Sequence, residues 1–171
     1  MEAVGDYIAF SSTDHRIRFI KLTELTQPSS LSMSGGEPSP KGLLKFKFDF
    51  EEHRFVEFND TIVAMAGGLS ERNHLVVIDL LNYFYRIDVD QSKILYKSEK
   101  RDEGSFGPKI CVMTSRDVNY IACSKWTFEE NQIEIRNCKD FQVCLKFHVR
   151  SHVNYIAELN GNHKVRGHII A

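Results

Sequence analysis

No apolar run in the chain approaches the ~18 residues needed to cross a bilayer, so no transmembrane helix is expected. Neither sign of charge is in excess: 22 Lys and Arg stand against 23 Asp and Glu. That balance excludes a long-range field built to gather nucleic acid or anionic lipid, and neither nucleic acid nor membrane is expected as a partner. Proline is scarce, four in 171 residues, and tryptophan occurs once, at Trp126. The opening residues Met1 to Asp6 lack a basic segment followed by an apolar one, so no secretion signal is expected, and the expected setting is intracellular, cytoplasmic or nuclear. Cysteine is sparse too. Cys111, Cys123, Cys138 and Cys144 sit inside apolar runs instead of a spaced framework, which reads as buried free thiols. Helical periodicity is missing: no window holds apolar residues at three- and four-residue spacing over ten or more positions.

What is present is strand-forming material. Apolar residues make up 42% of the chain, enough for a folded core, and twelve Phe and six Tyr favour pleated strands. His74–Val89, "HLVVIDLLNYFYRIDV", holds two strand-like runs around Leu81-Asn82, and its first run recurs elsewhere. "HRIRFIKL", "NHLVVIDL" and "NQIEIRNC" align with Ile17, Leu75 and Ile133 in register, each step being 58 positions. All three have apolar residues two apart, the period of a strand with one buried face. A run with an Ile-(Val)-Ala core precedes each: "YIAFSS", "TIVAMAGG" and "YIACSK". A further run follows each: "LLKFKFDF" (Leu43–Phe50), "YFYRIDV" (Tyr83–Val89) and "FQVCLKFHV" (Phe141–Val149). A last set lies between units, in "RFVEF", "KICVM" and "VNYIAEL". Leu81-Asn82 then reads as the turn between the third and fourth strands of a recurring four-stranded meander. Such meanders in series are the blades of a β-propeller.

At these residues the chain resembles the WD-repeat family of β-propellers. "LVVIDL" matches the family's aromatic-acid strand ending with Ile78-Asp79 in place of Trp-Asp, while Lys21 and Asn137 replace the acid in the other two units. The family's opening Gly-His pair is absent from every unit, so its buried Asp–His–Ser network is not assigned here. The resemblance implies an all-β fold of antiparallel four-stranded blades of a WD-like β-propeller. About two complete blades are expected, at 53–97 and 109–149, with partial blades at both ends, 1–50 and 152–171. Residues 26–42 carry three of the four prolines and five serines and are expected to form a flexible insertion. Propellers close with ~4–8 blades. The chain is therefore expected to be a fragment, its ring completed by blades from a longer chain or by other copies. The mixed charges of "KSEKRDEG", Lys97–Gly104, read as a solvated connector.

Chemistry is weakly signalled. Cys138, Cys144 and His148 have a spacing that ends some zinc fingers, which keeps a zinc-binding or enzymatic domain as the alternative function. Against it, Cys144 and His148 fall on one strand ~13 Å apart, too far for one tetrahedral centre. Ser12, Asp14 and His15 lie close in sequence, but in a turn such residues cap backbone amides more often than they form a triad. No catalytic residue, cofactor or metal is expected. The expectation that remains is a non-catalytic scaffold of the WD-repeat type binding a protein or peptide. Trp126 and Phe128 at a hairpin tip, with Arg72 and His74 in the corresponding loop of the preceding unit, are the candidate contacts.

Overall fold

The alternating apolar runs form strands. In a computed structural model that describes residues 1–21, 54–69, 71, 73–99, 101–115, 117–151, 153, 156–158 and 169–170, these fold into three antiparallel sheets of four strands and a two-stranded pair. The first sheet comprises β1 (Glu2–Val4), β2 (Tyr7–Ser11), β3 (Arg16–Lys21) and β4 (Arg54–Glu57). The second comprises β5 (Ile62–Ala66), β6 (His74–Asp79), β7 (Phe84–Asp88) and β8 (Lys93–Lys97). The third comprises β9 (Ser105–Ser115), β10 (Val118–Trp126), β11 (Asn131–Asn137) and β12 (Val143–Val149). β13 (Ala157–Glu158) pairs with β14 (Ile169–Ile170). Among the described residues there is no helix. The proline-rich insertion and Leu43–Phe50 lie outside the described residues.

In each four-stranded sheet the strands are neighbours in chain order, so every sheet is a meander. The first strands meet at the centre of the stack: β5 packs between β1 and β9, and β13 lies against β9. Small residues permit that approach. A Cβ added at Gly67 would lie 2.4 Å from the carbonyl oxygen of Ala3. The faces of adjacent sheets bury the core. Ile17, Phe19 and Val56 of the first sheet pack on Leu75, Val77, Tyr85 and Ile87 of the second. Val76, Ile78 and Phe84, on the second sheet's other face, pack on Phe106, Ile110 and Ile121 of the third. The far face of the third sheet, Ala122, Ile133 and Ile135, is partly covered by Val153 and Ile156. This is the architecture of propeller blades, as an open stack and not a closed ring.

Several sequence expectations shift in detail. A short strand, β1, does precede Tyr7. Arg54–Glu57 pairs with β3 and so ends the first sheet, although the sequence pattern places it in the second unit. Lys93–Lys97, unassigned from sequence, is the outer strand of the second sheet. Leu81-Asn82 consequently joins the second and third strands. The repeat phase moves with it: Ile17 and Ile133 lie in third strands, but Leu75 lies in a second strand. All three are nonetheless buried, Ile17 and Leu75 in the same core. The slip arises because a two-residue period fixes which face a residue occupies and not which strand of a meander it belongs to.

Candidate functional site

The hairpins of the second and third sheets turn at one end of the stack or the other, and hydrogen bonds between neighbouring sheets define which. The β6–β7 turn is closed by the Asn82 amide donating to the Asp79 carbonyl at 3.0 Å, with Asn82 in the left-handed region at φ 64. Asp79 is buried there; its carboxylate accepts the Tyr83 amide at 2.9 Å and the Tyr85 hydroxyl at 2.7 Å. Asn82 Nδ2 reaches into the linker between the second and third sheets, donating to the carbonyls of Asp102 at 3.1 Å and Gly104 at 2.6 Å. Gly104, at φ +87, abuts Trp126: a Cβ there would lie 2.5 Å from the Trp126 carbonyl oxygen.

The predicted hairpin tip is therefore real and tightly seated. Trp126 ends β10 opposite Asn131, and its residue is partly exposed. The Thr127 amide donates to the Glu130 carbonyl at 2.9 Å, and the Thr127 hydroxyl accepts the Glu130 amide at 3.1 Å. Phe128, at the apex, is fully exposed. His148 Nδ1 on β12 lies 2.6 Å from Glu130 Oε2.

His74 does not join this tip. It opens β6 opposite Asp88, beside Asn73, whose Nδ2 donates to Asp90 at 2.6 Å. It thus sits at the far end of β6 from Asn82, on the opposite end of the stack from Trp126 and Phe128. At that far end Asn119 Nδ2 also donates to Glu71 Oε2 at 3.0 Å. Arg72 lies outside the described residues. A rim shared by His74 with Trp126 and Phe128 is corrected accordingly. The two loops match in sequence pattern, but His74 follows the connection between first and second strands, β5 and β6, while Trp126–Glu130 joins second and third, and alternate turns of a meander face opposite ways. A residue of the second sheet that shares the end with Phe128 is Leu80, exposed in the β6–β7 turn. Its place was not legible because the strand count was off by one.

Under the tip lies a group of charges that the sequence conceals. Lys125 on β10 and Glu134 and Arg136 on β11 are buried, and the linker's Asp102 reaches them. Lys125 Nζ is 2.5 Å from Asp102 Oδ1 and 3.5 Å from Glu134 Oε1. Arg136 Nη2 is 2.6 Å from Asp102 Oδ2, and Arg136 Nε donates to Glu134 Oε2 at 2.9 Å. The guanidinium also stacks over Phe84 at 4.6 Å and Phe106 at 5.4 Å. Two acids facing two bases leave no net charge in the interior, the condition under which buried ions are tolerated. Burial acts to raise the pKa of Asp102, but the hydrogen bond from Lys125 and the charge of Arg136 outweigh it and hold the group below 3.8. In sequence, Gln132, Glu134 and Arg136 alternate with Ile133 and Ile135 and read as a wet face, and Asp102 read as part of a solvated connector. Both faces of β11 are in fact covered.

The zinc candidates do not converge. Cys138 is buried at the sheet interface, Cys144 is exposed on β12, and His148 is engaged by Glu130. Among the described residues no group of three or more His, Cys, Asp or Glu is placed to hold a metal ion. Ser12, Asp14 and His15 form the β2–β3 turn, where Arg18 Nη1 and Nη2 clamp the Asp14 carboxylate at 3.0 and 2.5 Å and Ser12 donates to it. A recess of about 90 Å³ opens where the inner strands meet, lined by Met1, Glu2, Ile62, Met65 and Lys109 among others. That is well below the ~300 Å³ of an ordinary small-molecule site. No described helix is long and apolar enough to cross a membrane.

No protein-family profile matches the chain. No curated protein matches it in sequence. Solved structures similar in fold include two of AztD. Apo AztD from Citrobacter koseri aligns with a TM-score of 0.56 at 12% identity, over 88% of this chain and 34% of its own. A crystal structure of Citrobacter koseri AztD aligns with a TM-score of 0.57 at 12% identity, over 94% of this chain and 36% of its own. The chain thus spans about a third of the length of these neighbours, and the likeness is one of fold alone.

Proposed function

We propose that the chain is a segment of a WD-like β-propeller that serves as a non-catalytic scaffold, gripping a protein or peptide partner at the end of the stack that carries the Trp126–Glu130 tip. One observation carries this reading: Phe128 stands fully in solvent on a turn closed by backbone and Thr127 hydrogen bonds. A large aromatic held out by a rigid support loses little freedom on binding and makes an effective anchor. Leu80 adds apolar surface at the same end, and Glu129 adds an exposed carboxylate. The partner fitting this surface offers an apolar pocket with a basic rim. Four unbridged cysteines support an intracellular setting, and the open stack supports completion of the ring by blades of a longer chain or by other copies.

The test is a pull-down with the wild-type protein, identification of the captured partner, and titration of that purified partner against variants. Phe128→Ala, alone and with Trp126→Ala, is expected to weaken binding about tenfold or more with the melting temperature unchanged. Equal affinity for the double variant removes the tip from the proposal.

A further inference from the structure

We infer that Asp102, Lys125, Glu134 and Arg136, with Asn82, are positioning residues for the Trp126–Glu130 tip: they bolt it to the linker between sheets, so its pose is set by groups that a partner never touches. The inference rests on the reading of this tip as the binding element, but its first readout does not need a partner. Lys125 directly precedes Trp126 on β10 and faces Gln132 on β11. Gln132 Nε2 in turn donates to Glu130 Oε1, at the other root of the turn. Both strands of the hairpin therefore bring a cation to one carboxylate: Lys125 and Arg136 each bind a different oxygen of Asp102. Glu134 holds the two cations from behind. On the linker side, Asn82 fixes the carbonyls of Asp102 and Gly104, and Gly104 sits against the Trp126 carbonyl with no room for a side chain. The tip is thus tied to the β6–β7 turn of the neighbouring sheet through the linker. Lys146, half-exposed and 3.5 Å from Glu134, touches the acid but not the linker, and serves as a control.

Trp126 is the only tryptophan in the chain, so its fluorescence anisotropy and acrylamide quenching report on the tip directly. Asp102→Asn keeps shape and removes charge; Asn82→Gly keeps the left-handed backbone and removes both linker hydrogen bonds. Each is expected to lower anisotropy and raise the quenching constant at least about twofold, in a protein that still unfolds cooperatively. Lys146→Gln is expected to leave both unchanged. With the partner identified above, the two linker variants lose affinity about three- to tenfold, as expected when an anchor must be ordered on binding. A folded Asp102→Asn or Asn82→Gly protein with wild-type Trp126 signals overturns the inference. Should Asp102→Asn fail to fold, Asn82→Gly alone decides it. A loosened Trp126 together with normal partner binding by Phe128→Ala overturns the binding role of the tip and leaves the positioning role standing.

Discussion

Glu134 shows how much a single side chain can constrain this fold. It is completely buried, and its charge is offset by Arg136 and Lys125. Neutralising it leaves two buried cations facing Asp102 alone. Glu134→Gln is therefore expected to destabilise the protein by about 3–5 kcal/mol, read as a shift of the urea midpoint, whereas a change under 1 kcal/mol would mean the charges are solvated. The thiols offer a second check. Burial pushes both Cys123 and Cys138 up to about 12, while Cys144 is exposed on β12. A thiol reagent at neutral pH is expected to modify Cys144 in the native state and to reach Cys123 and Cys138 only on unfolding.

At the scale of the element, strand identity was legible because apolar residues two apart leave few other ways to bury a face. The turns were harder to read. Among the described residues five that are not glycine, His15, Asn82, Ser92, Asp117 and Phe141, take left-handed backbone conformations. Only Asn and Asp signal that openly in a sequence. Phe141 is the least expected. Its ring is buried 5.3 Å from Phe84 and 5.7 Å from Tyr96, and that packing offsets a conformation bulky residues avoid. The tip at Trp126 was legible because aromatics interrupt a strand pattern beside acids. Its support was not, since a polar residue facing a neighbouring sheet looks the same as one facing water. Close approach of strands is likewise silent until seen. Gly67→Ala places a methyl 2.4 Å from the Ala3 carbonyl, and is expected to cost about 1–3 kcal/mol in chemical denaturation by pushing β5 from β1. Unchanged stability there would mean the inner strands are not in contact.

For the whole molecule, acid is the informative perturbation. Among the described residues, three carboxylates are held below their ordinary pKa. Asp102 is governed by the balance described above, Asp90 by hydrogen bonds from Asn73 and Tyr7, and exposed Asp14 by Arg18 and Ser12. A group whose folded pKa lies below its unfolded value of ~3.9 stabilises the fold fully above that value and loses the contribution as pH falls through the lower one. Melting temperature is thus expected to be flat from neutrality to about pH 5 and to fall steeply below about pH 4. Asp14 contributes little, because water screens it. Asp102→Asn is expected to flatten the acid limb, and a profile that coincides with wild type below pH 4 would show that the linker carboxylate is not paired in solution. The fold itself was largely readable at this scale, since four-stranded meanders in series leave only stacked sheets as an economical packing.

Each of the three four-stranded sheets closes its hydrogen-bonded ladder within one stretch of chain, borrowing no strand from another stretch among the described residues. Such units can be gained or lost by duplication or deletion at the linkers without leaving a neighbour's backbone unpaired. What a cut removes is the interlocking side chains of one interface and, at the second linker, the ionic fastening of Asp102. Joining sheets from different sources at that point therefore requires matched charge across the junction as well as matched apolar shape.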